Sequence, residues 1–146
     1  MSTTAEQKTA SPWLILLLAL SCGLIVANLY YAQPLAGPIA EALHLPLKTA
    51  GLVVTLTQIG YGLGLLFIVP MGDLIENRRL ILMTMVLGTL GLIGAALSTS
   101  PSVFFLAAFF IGLGSVAVQI LVPYAAHMST DATRGKTVGN VMSGLM

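Results

Sequence analysis

Residues 60–80 hold the densest group of charges in the chain, set between two long apolar segments. Asp73, Glu76, Arg78 and Arg79 fall within seven residues, although only 8% of the whole chain is charged. Charged side chains are costly in hydrocarbon and are readily hydrated at a membrane surface. The segment therefore predicts a hairpin of two lipid-spanning helices, joined by a turn at the surface of a membrane.

The composition favours a membrane protein and excludes several other classes. Hydrophobic residues make up 57% of the chain, whereas soluble domains contain about 45–50% apolar residues. We therefore expect the lipid bilayer as a partner. The net charge of +1 offers no basic field for nucleic acid. No motif predicts a nucleophile with its base, a metal site or a phosphate-binding loop, so we expect no enzyme, no catalytic residue, no metal and no cofactor.

Four apolar segments are long enough to cross a bilayer as helices, which needs about 20 residues. They are residues 13–31, 49–71, 80–97 and 103–122, preceded by a tail at 1–12 and followed by the start of a fifth span at 137–146.

The fifth span is short, since ten residues rise only about 15 Å against a hydrocarbon core of about 30 Å. We therefore expect the chain to be a fragment of a longer protein.

Two more boundaries are predicted from prolines, which interrupt helices. Pro34 and Pro38 predict an irregular connection after the first span, and Pro123 predicts the end of the fourth.

The basic residues predict the orientation of these spans. Five of the six lie on one side of the membrane in this topology and Lys48 lies on the other; the five are Lys8, Arg78, Arg79, Arg134 and Lys136. Short cytoplasmic loops collect Lys and Arg. We therefore expect a multi-pass protein of the inner (plasma) membrane whose N-terminus is cytoplasmic.

Glycines recur at helical spacing within the predicted spans. Gly60 and Gly64 are four residues apart and share one helix face, which lets a neighbouring helix approach closely. Gly88 and Gly91 lie along one side of the third span, and Gly112 lies in the fourth. These positions are candidates for helix packing; the alternative is that such spacing arises by chance in a glycine-rich membrane protein.

The loop VPMGDLIENRRL resembles the cytoplasmic-loop signature of the major facilitator superfamily, in which a glycine, three residues and an aspartate precede a basic cluster. Asp73 matches the aspartate and Arg78 with Arg79 matches the basic cluster. Val69 replaces the leading glycine, and the arginines come one residue late. The order of ANLYYAQPL, GYGLG, PMGD and RGKTVG looks like bacterial members of the drug-efflux branch.

The resemblance implies an all-α membrane protein, with four complete transmembrane helices and a truncated fifth from an N-terminal six-helix bundle. In that family the loop stabilises one state of the alternating-access cycle. This implies a conformational switch made of Asp73, Glu76, Arg78 and Arg79. The alternative is a solvated turn whose arginines only set the topology.

Polar residues inside the spans are informative, because unpaired polar groups are expensive in hydrocarbon. Asn28 and Tyr31 lie near one face of the first span, and Gln119 lies on a face of the fourth. The first and fourth helices of the resembled family line its central cavity. The resemblance therefore implies that Asn28, Tyr31 and Gln119 are substrate-path residues; hydrogen bonds between helices are the alternative.

As a whole, the resemblance implies a fragment of a secondary active transporter that exports small organic compounds, drug- or sugar-like. Its partners would be that substrate and the missing C-terminal half. Two alternatives stay open: a small dimeric four-helix multidrug carrier, and a non-transporting membrane subunit. No Asp, Glu, Lys or Arg lies within the four predicted spans, so nothing in them supports proton coupling.

Overall fold

The computed structural model describes residues 11–145, and all regular secondary structure in that part of the chain is helical. The predicted tail lies outside it as far as Ala10, as does Met146 of the fifth span. There are six α-helices and one short 3-10 helix: α1 (Pro12–Ala42), α2 (Leu47–Phe67), the 3-10 helix (Val69–Asp73), α3 (Asn77–Ala96), α4 (Pro101–Ser115), α5 (Ala117–His127) and α6 (Arg134–Ser143).

The predicted all-α membrane architecture is confirmed. Four helical segments of the described chain are long and apolar enough to cross a membrane: Pro12–Ala42, Lys48–Asp73, Asn77–Ala96 and Pro101–His127. Many large apolar side chains on their outer faces are exposed, among them Trp13 and Leu66. Such a surface is unfavourable in water and is what hydrocarbon requires.

Helix α1 is longer than predicted. It begins with Pro12 in its first turn, where the missing N–H costs nothing. It then continues through Pro34 and Pro38 as far as Ala42, so the predicted irregular connection after residue 31 was wrong. Each proline removes one helical hydrogen bond. Because the two are four residues apart and both exposed, the disruption stays on one outer face.

The end of α1 is fixed by its backbone. His44 adopts a left-handed conformation with φ of 52°, and the Leu45 N–H donates to the Ala40 carbonyl over 2.7 Å. This is the hydrogen-bond pattern by which a left-handed residue closes a helix. The actual connection between the first two spans is therefore only a few residues long.

The charged turn between the second and third spans is compact. The 3-10 helix Val69–Asp73 follows α2 almost directly, and α3 starts at Asn77. Pro70 lies at the start of the 3-10 helix, where its fixed φ is compatible with helical backbone. The hairpin predicted from residues 60–80 is thus formed, with its four charges at one end of the bundle.

The fourth span is the centre of the bundle. In its most apolar window 56% of the residues are buried, against 17–22% for the other three spans. It is divided at Val116, where the Gln119 N–H donates to the Val116 carbonyl over 2.9 Å. The Ser115 hydroxyl donates to the Ile111 carbonyl, a bond that often bends a helix. Pro123 lies inside α5, so the prediction that it ends the span was wrong.

Helix α6 packs against α1 and α5 and completes the core. It starts at Arg134, three residues before the predicted start of the fifth span. The buried cluster joins four helices; its members are Leu18, Cys22, Leu80, Ile81, Val118, Ile120, Leu121, Ala125 and Val141.

Candidate functional site

The predicted switch residues lie together at the charged turn, and one ion pair forms among them. The Arg79 Nε lies 3.3 Å from the Glu76 carboxylate, and both side chains are more than half exposed. An exposed pair of this kind stabilises a protein by only about 0–1 kcal/mol.

Asp73 forms no ion pair with Arg78 or Arg79 within residues 11–145. Asp73 ends the 3-10 helix and is exposed, and Arg78 and Arg79 begin α3 with exposed side chains. The turn through Glu76 thus separates the aspartate from the basic pair.

Helices α2 and α4 cross through glycines, backbone against backbone. A methyl group added at Gly60 would collide with the main-chain carbonyl oxygen of Phe109. One added at Gly112 would collide with the carbonyl oxygen of Thr57. Gly64 contacts the same helix one turn later. The structure therefore brings three of the five predicted packing glycines into one crossing.

Helices α3 and α4 cross through the other two predicted glycines and one that the sequence analysis missed. A methyl at Gly91 would lie 2.9 Å from the Ile111 nitrogen, and one at Gly114 would collide with the backbone of Gly88. Gly112 and Gly114 are two residues apart and so point to different sides of α4. That spacing was the available signal that this helix packs between two neighbours.

Helices α1 and α6 form a third close crossing, which was not predicted. A methyl at Gly144 would collide with the Ala19 carbonyl, and one at Gly23 with the Gly144 carbonyl. The four-residue spacing of Ala19 and Gly23 is the small-residue signal of such a contact.

Asn28 lines a cavity of about 180 Å³ between α1, α3 and α4. Its polar neighbours there are Thr89 and Ser115, whose hydroxyls donate to carbonyls of their own helices. Within residues 11–145 the Asn28 amide has no hydrogen-bond partner, so it is available to a ligand in this cavity. The lining of the cavity includes neither Tyr31 nor Gln119.

The other two predicted substrate-path residues lie elsewhere. Tyr31 is 61% exposed on α1. The Gln119 Nε2 donates to the Tyr61 hydroxyl over 2.8 Å, which joins α5 to α2. Sequence reasoning missed Tyr61, because a partner 58 residues away leaves no local signal. The structure therefore does not bring Asn28, Tyr31 and Gln119 into one pocket.

The described residues show no group of His, Cys, Asp and Glu side chains that could hold a metal ion. The chemistry of the spans is that of amides, hydroxyls and close backbone contacts. Such an arrangement can bind a small compound by hydrogen bonds.

Comparisons with known proteins identify the family. The sequence profile of the Major Facilitator Superfamily matches residues 15–146. The uncharacterized transporter YgaY of Escherichia coli O157:H7 is 47% identical over 143 residues, and YgaY of strain K12 matches equally well. A Streptomyces coelicolor protein, named "Probable transporter SCO4007", is 32% identical over 129 residues. No solved structure matches.

These relatives are longer than the chain. The matches cover 98% and 88% of the chain, but only 36% of YgaY and 30% of the Streptomyces protein. The chain thus spans about a third of the length of the curated relatives it matches. Since the family profile covers nearly all of its residues, the chain belongs to the Major Facilitator Superfamily.

Proposed function

We propose that this chain is the N-terminal part of a secondary active transporter that exports small organic compounds, drug- or sugar-like, by alternating access. The observation that carries the proposal is the family match over residues 15–146, on a chain with four helices able to span a membrane. The chain covers 36% of YgaY. A longer protein of this kind would supply the second bundle against which the first must rock.

The charged turn is proposed as the conformational switch of this transporter. Asp73 is exposed at the α2–α3 junction and makes no ion pair within the described residues. Its carboxylate is therefore available to a helix N-terminus or a basic group of the second bundle, in one state of the cycle only. The Glu76–Arg79 pair would hold the turn, and Arg78 would keep it at the membrane surface.

The glycine crossings hold α4 close against α2 and α3, backbone on backbone. Such a bundle would move as one body against the second bundle, which is the rocking that alternating access requires. Asn28, Tyr31 and Gln119 are proposed as substrate-path residues. The support is the mainly apolar cavity into which Asn28 brings an amide, and the exposed position of Gln119.

The proposed location is the inner membrane, with the N-terminus and the charged turn in the cytoplasm. The support is the five-to-one distribution of basic residues.

The transport proposal is tested with the complete reading frame that contains this chain, expressed in an efflux-deficient bacterial host. Everted membrane vesicles, in which export appears as uptake, are energised and supplied with labelled compounds, some cationic and some uncharged. We expect saturable uptake that an ionophore abolishes. Vesicles that take up no more than vector controls, at verified protein abundance, would contradict the proposal.

A further inference from the structure

One hydrogen bond differs from all other side-chain hydrogen bonds of residues 11–145. Ser, Thr and their partners bond within their own helix or turn, no more than four residues apart, as Thr57 does to Val53. The bond from Gln119 to Tyr61 joins two helices and spans 58 positions. It is therefore a tertiary contact made by polar side chains, in a bundle that otherwise packs through glycines and apolar groups.

The packing of α2 on the fourth span does not depend on this hydrogen bond alone. The crossing of α2 and α4 is already formed by Gly60 and Gly112. Gln119 is exposed, although the residues on both sides of it, Val118 and Ile120, are buried. The pair thus lies on an open face of the bundle.

The open face is unfavourable as a lipid face at the depth of this pair. Tyr61 precedes Asp73 by 12 residues and Gln119 precedes His127 by 8. At about 1.5 Å per residue they lie about 18 and about 12 Å from the charged end, well inside a hydrocarbon core of about 30 Å. An exposed amide there is costly in lipid and is favoured where it lines a water-filled path. In a protein longer than this chain, such a face either packs on a further helix or lines a water-filled path. Because the pair keeps unpaired donors and an acceptor, we assign the face to the aqueous cavity.

The hydrogen-bonding groups of Tyr61 and Gln119 that remain unpaired limit which ligands can bind to the pair. With one amide N–H and the phenol acceptor engaged, the Tyr61 O–H, the second Gln119 N–H and the Gln119 carbonyl remain available. The pair thus keeps two donors and one acceptor next to the aromatic ring of Tyr61. No Asp, Glu, Lys or Arg occurs between Thr49 and Gly72 or between Leu80 and Met128, so these spans offer a charged ligand no counter-ion.

We infer that Tyr61 and Gln119 form a subsite that binds an uncharged hydrogen-bonding group, a hydroxyl or an amide, of the transported compound. The inference rests on the proposed function and narrows its substrate class from small organic compounds to uncharged polar ones. Tyr61 becomes a specificity-determining residue that no local sequence pattern marks.

The experiment compares two probes in everted vesicles that carry the complete protein. Chloramphenicol is uncharged and has hydroxyl and amide groups, whereas ethidium is a permanent cation. The variants are Tyr61→Phe, which removes only the hydroxyl, and Gln119→Leu, which keeps the volume. Thr55→Val is the matched control, because it removes an exposed α2 hydroxyl that bonds only to the Gly51 carbonyl.

We expect the wild type to take up chloramphenicol, with each pair variant raising KM about three- to tenfold, the factor that the loss of one hydrogen bond supplies. Vmax per transporter and abundance should stay within about twofold, since the crossing glycines are intact, and Thr55→Val should match the wild type.

Four results would overturn the inference. If KM were unchanged while Vmax and abundance fell together, the pair would be structural. If the wild type moved ethidium but not chloramphenicol, the substrate class would be wrong although the transport function stood. If a labelled sugar were taken up but neither probe, the subsite would be wrong although the transport function stood. If none of the three compounds were taken up, the proposed function would fail and the subsite would fall with it.

Discussion

Replacing Gly60 by alanine tests the close crossing of α2 and α4. The added methyl would collide with the main-chain carbonyl oxygen of Phe109, which cannot rotate away as a side chain could. The helices must therefore separate, and a gap of about 0.5–1 Å forfeits about a quarter to a half of the dispersion energy of each contact. Overpacking of this kind costs about 1–3 kcal/mol, and the better helix propensity of alanine offsets about 1 kcal/mol. At the middle of these ranges the variant loses about 1 kcal/mol of unfolding free energy.

Gly62→Ala is the matched control on the same helix. A methyl at Gly62 meets no atom of another segment within 4 Å, so this variant should gain about 1 kcal/mol from propensity alone. The two variants should then differ by about 2 kcal/mol in unfolding free energy. The assay is loss of helical circular dichroism in dodecyl maltoside micelles titrated with dodecyl sulfate. Equal stability of the two variants, or a more stable Gly60→Ala, would refute the backbone crossing.

Three further predictions address the turn, a strained residue and the orientation. Asp73→Asn in the complete protein should lower flux about tenfold at unchanged abundance, the effect of a bias of about 1.4 kcal/mol between conformational states; normal flux would leave a topology marker only. His44→Gly should raise the unfolding free energy by about 0.5 kcal/mol, because glycine adopts positive φ without strain. The matched change His127→Gly, at the end of α5, should lower that free energy by about 0.3 kcal/mol, and a reversed order would refute the strain argument. With Cys22 replaced, an external thiol reagent should label a cysteine at Leu45 but not one at Asn77, and the opposite labelling would invert the proposed topology.

Much of the fold was predictable because a bilayer imposes it. Four apolar segments and a charged turn at residues 73–79 leave few alternatives to antiparallel spanning helices. The boundaries were less predictable, since Pro34, Pro38 and Pro123 each remove one hydrogen bond without ending the helix. A proline on an exposed helix face and one at a helix end look alike in a sequence.

The candidate site was predictable only in part, because its geometry depends on which helices are neighbours. The sequence indicates Gly112 as a packing residue, but the packing role of Gly114 depends on its contact with α3. The sequence shows Gln119 as a polar residue in an apolar span, but its bond to Tyr61 depends on α2 lying beside the fourth span. The roles of Asp73, Asn28 and Tyr31 stay predictions.

The central claim is that this chain supplies one part of a two-bundle transporter, and reconstitution tests it most directly. The complete protein and the 146-residue chain are purified and placed in separate liposomes at matched density. Uptake of chloramphenicol, ethidium and a labelled sugar is then followed under an imposed ion gradient. We predict that the chain inserts but transports nothing, because four spans and a short fifth helix supply only one wall of a cavity that needs two. Saturable, gradient-driven uptake by the 146 residues alone would contradict the claim and would favour a small dimeric carrier.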